Sequence, residues 1–162
     1  YAKLCKEIIK NCNLMGEIIE NNFKQFIELF DDIHYCDPNK DYEKFCEYNK
    51  ENTKRKSFST FYINLLKEEI LDKNKIIELI FKLIGKFNII INDDNTHFIC
   101  EEIVDNLFIL IIDGKDYLKE CKEEWEKICL FLENAKQLNI STNSGFTNKI
   151  KFKLMDICDN II

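Results

Sequence analysis

The chain has few of the residues that punctuate loops: among its 162 residues are four glycines and one proline. That shortage argues against a turn-dense all-β fold and for helices. The glycines are isolated from one another, so no glycine-rich loop exists to cradle a phosphate. Arg55 is the only arginine and Trp125 the only tryptophan. The formal net charge is −6 and the pI about 5.1. Such a balance counts against phosphate-driven nucleic-acid binding, which needs a concentrated basic face. The most apolar stretch, residues 103–112, is too short for a membrane span and contains Asp105 and Asn106. The eight cysteines include no C-x-x-C pair and fall mainly at apolar helical positions. They read as reduced core thiols of a cytosolic or nuclear protein, not as a disulfide framework. No signal peptide is visible, and a chain opening on Tyr1 reads as a fragment of a longer one.

What is present is helical spacing. The last segment, residues 147–162, places Ile150, Leu154, Ile157 and Ile161 on one apolar stripe, with Cys158 at its edge. Thr147 suits the cap position. Phe152 points away from the stripe, among Met155, Asp156 and Asp159, so a second small face is expected on this helix.

Earlier segments obey the same logic. Residues 1–11 carry Leu4, Cys5, Ile8 and Ile9, and a break is expected around 13–16. A helix from Ile18 or Ile19 to about Tyr35 carries Phe23, Phe26, Ile27 and Phe30, and a turn comes next at 37–40. Residues 36–56 read as a charged inter-helix linker, frayed, exposed and mobile from Asp41 to Lys56. Ser57 or Ser59 is expected to cap a helix to about Leu71, and Asp72 the broadly apolar, inner helix after it. Asp94 or Asn95 is expected to cap a helix to Asp113, closed by Gly114 in the left-handed conformation. Asp116 to Lys136 reads as another helix with Trp125 as a core anchor, and residues 138–146 as a polar loop. The expectation is an all-α single domain over 1–162, built from about seven helices in antiparallel pairs: a helical-repeat solenoid of the HEAT type.

Chemical constellations are sparse. His34-x-Cys36 with Cys46 matches no common zinc spacing, so neither metal nor cofactor is expected. His97-x-x-Cys100 spans one helical turn but lacks a third orienting group. Carboxylate pairs such as Glu101-Glu102 read as solvated helix faces. Lys54-Arg55-Lys56 is the densest basic run and the one candidate for RNA contact.

Several segments in order resemble the middle domain of eukaryotic translation initiation factor 4 gamma. "YAKLC" is similar to a helix opening in the family's second repeat, which implies that the first repeat is absent. "NNFKQFIELF" resembles its Asn-Phe-basic helix, and Arg55-Lys56 a basic pair, with Ser57 near the usual glycine. "DGKDYL" resembles its Ile-Gly-Lys-x-Leu turn, Asp113 replacing the Ile. In "TNKIKFKLMDICDNI", Lys149, Ile150, Lys151 and Phe152 match a basic–aliphatic–basic–aromatic run. Leu154, Asp156 and Asp159 match the aliphatic and acidic positions C-terminal to that run. Asn160 and Ile161 stand where Leu-Arg is usual.

The resemblance implies a cytoplasmic translation-initiation scaffold and not an enzyme. Such a scaffold binds a DEAD-box RNA helicase of the initiation factor 4A kind, with mRNA contact and other initiation factors reached through flanking regions. It implies partner binding through Lys149, Lys151, Phe152, Met155, Asp156 and Asp159, with Lys54, Arg55 and Lys56 as weaker RNA contacts. Alternatives are a related scaffold of splicing, cap binding or decay, and an enzyme using Cys and His.

Overall fold

A computed structural model describes residues 1–12 and 14–161. Those residues form seven α-helices and no strand: α1 Ala2–Asn11, α2 Leu14–Glu28, α3 Tyr42–Lys67, α4 Lys73–Ile90, α5 His97–Leu118, α6 Lys122–Ala135 and α7 Asn148–Ile161. The all-α expectation holds. Of the expected break at 13–16, Asn13 lies outside the described residues and the rest is already helical, since α2 begins at Leu14 and not at Ile18 or Ile19. Ile162, the last residue of the expected final helix, also lies outside the described residues. None of the described helices is long and apolar enough to cross a membrane.

α5 is the centre of the packing. It packs against α3, α7 and α4. α4 in turn meets α6 through the edge-to-face pair Phe87–Phe131, and α6 packs on α7. Lysines of α4 bridge to α2: Lys75 pairs with Glu20 at 2.7 Å and Lys82 with Asp31, just beyond α2, at 2.6 Å. The core runs through all seven helices. At its α2–α3 end is an aromatic cluster in which Phe23 and Phe26 pack on Tyr62. Burial there pushes the Tyr62 phenol up to about 12.

α2 stops at Glu28, not near Tyr35. Helix ends leave carbonyls without intrahelical donors, and here cations outside α2 take them. Lys82 donates to the Ile27 carbonyl, Arg55 to Leu29, and Lys86 to Phe30 and Asp31. Phe30 and Ile33 stay buried, so the apolar pattern outlasts the helix.

The expected linker over 36–56 is helical from Tyr42, and the stretch to Lys67 is one 26-residue helix. Asp41 caps it, accepting from the Lys44 N–H at 3.0 Å. Ser57 and Ser59 are interior residues instead of caps. The Ser57 hydroxyl donates to the Thr53 carbonyl and Ser59 is buried against Asn106. Thr53 and Thr60 donate to their i−4 carbonyls in the same way, so cap-favouring side chains are accommodated within the helix. The inward stripe is Arg55, Ser59, Tyr62 and Leu66, polar at its N-terminal half.

Other boundaries move too. Asp72 caps α4 as expected, accepting from Asn74 at 2.8 Å. Neither Asp94 nor Asn95 caps α5; the cap position is Thr96, whose hydroxyl donates back to the Ile90 and Asp93 carbonyls. Gly114 sits inside α5, which continues to Leu118. A Cβ there would lie 3.0 Å from the Ile63 side chain, so its smallness lets α5 approach α3. α6 begins at Lys122, later than Asp116, because Leu118 is used as the buried end of α5. Trp125 is half-buried, not a deep anchor, with the Lys119 ammonium 5.6 Å from its ring. The 138–146 segment is a loop that ends in the core, where Phe146 is buried and the Gly145 N–H donates to the Ile91 carbonyl at 2.8 Å.

Arg55 is 2% exposed and Glu102 4%, and the guanidinium Nε donates to the carboxylate at 3.3 Å. Removing one partner of such a pair strands the other in a low-dielectric site. Glu102→Ala is therefore expected to cost about 3–5 kcal/mol of stability in urea denaturation, whereas Arg55→Met combined with Glu102→Leu should recover most of that loss.

Candidate partner-docking face

The last helix carries the expected division of faces. Ile150, Leu154, Ile157, Cys158 and Ile161 are buried. Thr147 caps the helix, accepting from the Ile150 N–H at 3.3 Å. On the other side Phe152 is 61% exposed, and Met155, Asp156 and Asp159 are also exposed. Lys151 is half-buried and Lys149 exposed, beside Phe152 on the first turns. The six residues expected to meet a partner thus share one helix, with the aromatic ring outward.

What holds this helix in place was not legible from its own sequence. α5 presents three carboxylates toward it and toward α3. Glu101 accepts from the Thr147 hydroxyl at 2.9 Å and from Lys149 at 2.8 Å. Asp105 pairs with Lys56 of α3 at 2.8 Å and Lys153 of α7 at 3.5 Å. Glu102 faces Arg55 and Lys56. The Lys153 ammonium also lies 4.5 Å from the Phe108 ring. The expected reading of Glu101-Glu102 as a solvated face is therefore wrong for this pair: Glu102 is inside, and Glu101 is a clasp on α7. Spacing held a usable signal. Glu102 and Asn106 recur on the same i, i+4 register as the apolar residues Ile99, Ile103, Leu107 and Leu110, so a polar pair on an inner stripe was available to be read.

The expected RNA contact at Lys54-Arg55-Lys56 does not survive as a unit. Arg55 is buried, bonded to Glu102, to the Leu29 carbonyl and to Asn52. Lys56 is turned to Glu102 and Asp105. Of the three, only Lys54 stands free, 5.7 Å from the Phe58 ring. Three consecutive residues of a helix spread over about 200° of its circumference, so one of them faced the core.

The cysteine and histidine constellations are ordinary in geometry. Among the described residues no group of three or more His, Cys, Asp or Glu side chains is arranged to hold a metal. His34 pairs with Asp32 at 3.0 Å, and the Cys36 thiol points to the Asp37 and Asp41 carbonyls. Cys100, one turn from His97, is fully buried, and burial pushes its thiol up to about 11, which suppresses the thiolate. All eight cysteines are free thiols.

A cleft of about 270 Å³ opens between the N-terminal half of α3, the start of α5 and the start of α7. Lys56, Glu101, Asp105 and Lys149 line it, with the stacked pair Tyr35 and Phe98 at one wall. Comparison of the chain with protein-family models, curated proteins and solved structures finds no match.

The two neighbouring carboxylates titrate in opposite senses. Burial pushes Glu102 up, and the charges of Lys56 and Arg55 pull back only part of that rise. Burial also pushes Asp105 up, but the Lys56 hydrogen bond and charge, with Lys153 and Lys149, outweigh it and leave Asp105 below its usual value. A depressed carboxylate contributes stability that is present above its unfolded pKa and is lost as pH falls through the folded one. Asp105 should therefore add an acid limb to the stability curve below about pH 4. Asp105→Asn is expected to flatten that limb in denaturation monitored at stepped pH.

Proposed function

We propose that the chain is a HEAT-type helical scaffold that docks a DEAD-box RNA helicase of the initiation factor 4A kind on the outward face of α7. The observation that carries this reading is Phe152: a large aromatic, 61% exposed, on a helix whose opposite stripe is fully used by the core. Charges of both signs surround it, with Lys149 and Lys151 on one side and Asp156 and Asp159 on the other. A desolvatable aromatic with a charged rim is the composition of an interface anchor.

The helix arrangement supports the same reading. α5 packs against α3, α4 and α7, and α6 packs against α4 and α7. In a repeat scaffold of that type, stacked helix pairs form an extended surface for partners. Such a scaffold needs no reaction of its own. Binding a closed helicase arrangement more tightly than an open one shifts the helicase's population toward the closed form.

The test is one substitution read in two ways. Truncating an interface anchor costs about 2 kcal/mol or more of binding, or about 25-fold in affinity. Phe152→Ala is expected to weaken helicase binding by that factor in titration calorimetry. Because Phe152 is exposed, its stability should change by no more than about 0.5 kcal/mol. Unchanged affinity in the folded variant would remove Phe152 from the interface, and binding of no helicase by the unmodified chain would overturn the reading.

A further inference from the structure

A hollow of about 430 Å³ opens among α1, α2 and α3, beside the aromatic cluster of the core. Buried Ile19, Phe26 and Tyr62 line its interior, with the half-buried Phe58 ring. That size and apolar lining are those of a small-molecule site. The more exposed part of the lining differs in kind. Ile18 is exposed there, Asn22 and Gln25 contribute neutral amides, and Lys54 is the single charged side chain of the whole lining. The Lys54 ammonium lies 5.7 Å from the Phe58 ring. Among the described residues it enters no ion pair, whereas Arg55 and Lys56 beside it are both paired. We propose that this hollow binds a small apolar monocarboxylate, such as a free medium-chain fatty acid, with its tail against the aromatic rings and its carboxylate at Lys54.

Charge and extent both favour that occupant. No carboxylate lines the hollow, so an entering anion meets one unpaired cation and no like charge. Glu28, Asp32 and Glu51 border a separate hollow that Lys54 also touches, and none of them is near enough to pair with it. The apolar surface is also short. Along α3 it gives way past Phe61 to a polar hollow lined by Ser57, Thr60 and Asn64, and past Lys54 to the acidic one. A docked amphipathic helix needs apolar anchors over successive turns, whereas one alkyl tail fits a single hollow. The site is independent of the α7 face and of any helicase.

The probes are octanoate, octanol and octylammonium, which share one tail, titrated by NMR into the full chain at about 0.15 M salt, where charges act over about 8 Å. Octanoate is expected to shift the side-chain amide signals of Asn22 and Gln25 and to bind more tightly than the other two. Decanoate, two methylenes longer, should bind about 15-fold more tightly than octanoate, from about 0.8 kcal/mol for each buried methylene. Lys54→Gln should weaken octanoate about fivefold, as loss of a surface charge contact of up to about 1 kcal/mol implies, and leave octanol unchanged. Ile18→Asp should weaken both, octanoate the more. Leu130→Asp, at an exposed apolar position on α6, should weaken neither. Ile18 and Lys54 are exposed, so their variants keep the fold. No shift at Asn22 and Gln25, tightest binding of octylammonium, or an equal loss of octanoate in Leu130→Asp would each overturn the proposal. So would a dimer that dissociates in Ile18→Asp, because a second copy would then fill the hollow.

Discussion

Two charges removed from water constrain the rest of this molecule. Arg55 and Glu102 are nearly inaccessible, and a buried ion is tolerable only where its hydrogen bonds are complete. They are complete here. The guanidinium reaches Glu102, the Leu29 carbonyl and Asn52, while the carboxylate meets Arg55, Lys56 and the Asn106 amide. Ser59 closes the set by donating to Asn106 at 2.8 Å. Satisfying all of these at once sets the register of α3 on α5 and ties the end of α2 to both. A shift of either helix by one turn would leave several polar groups unpaired. The contribution is to uniqueness of packing more than to net stability, since an apolar isostere of a buried pair is often as stable.

The same row of α5 carboxylates extends that constraint to α7. Glu101 and Asp105 stand one turn apart and reach Thr147, Lys149 and Lys153, so the helix carrying Phe152 is aligned by the element that is itself aligned by Arg55. Under the proposed scaffold role this chain of contacts has a use. A docking helix held at its N-terminal turns presents its aromatic ring in one orientation, and less freedom is lost when a partner binds.

A chain with so few glycines must turn corners by other means. Glu69 ends α3 in the left-handed conformation, with φ 60°, where glycine is commonest. The Ile70 N–H reaches the Leu65 carbonyl and the Glu69 N–H that of Leu66, which is the paired hydrogen bonding of a Schellman end. Asn95 takes the same region between α4 and α5. Lysine ammoniums and the one guanidinium close the end of α2. Gly145 is kept where a Cβ would fall 2.7 Å from the Thr96 hydroxyl and 2.9 Å from the Ile91 carbonyl, closer than atoms approach without a shift.

Local periodicity was enough to determine the all-helical class, the seven helices, the α4 cap at Asp72 and the two faces of α7. Each of these depends on residues within one or two turns of each other: Phe152 opposes Ile150 and Leu154 by geometry that a helix imposes on any chain. What tertiary structure alone decided was the fate of polar residues. Residues 42–56 look like solvated linker because Glu, Lys and Asn dominate them, yet the segment is helical since α5 supplies, 47 positions later, the carboxylate that Arg55 needs. Gly114 looks like a helix stop, yet it is a helix interior residue because Ile63 crosses there. A buried charge and a missing Cβ acquire meaning only from a neighbour distant in sequence, and a periodicity of 3.6 residues carries no information about that neighbour.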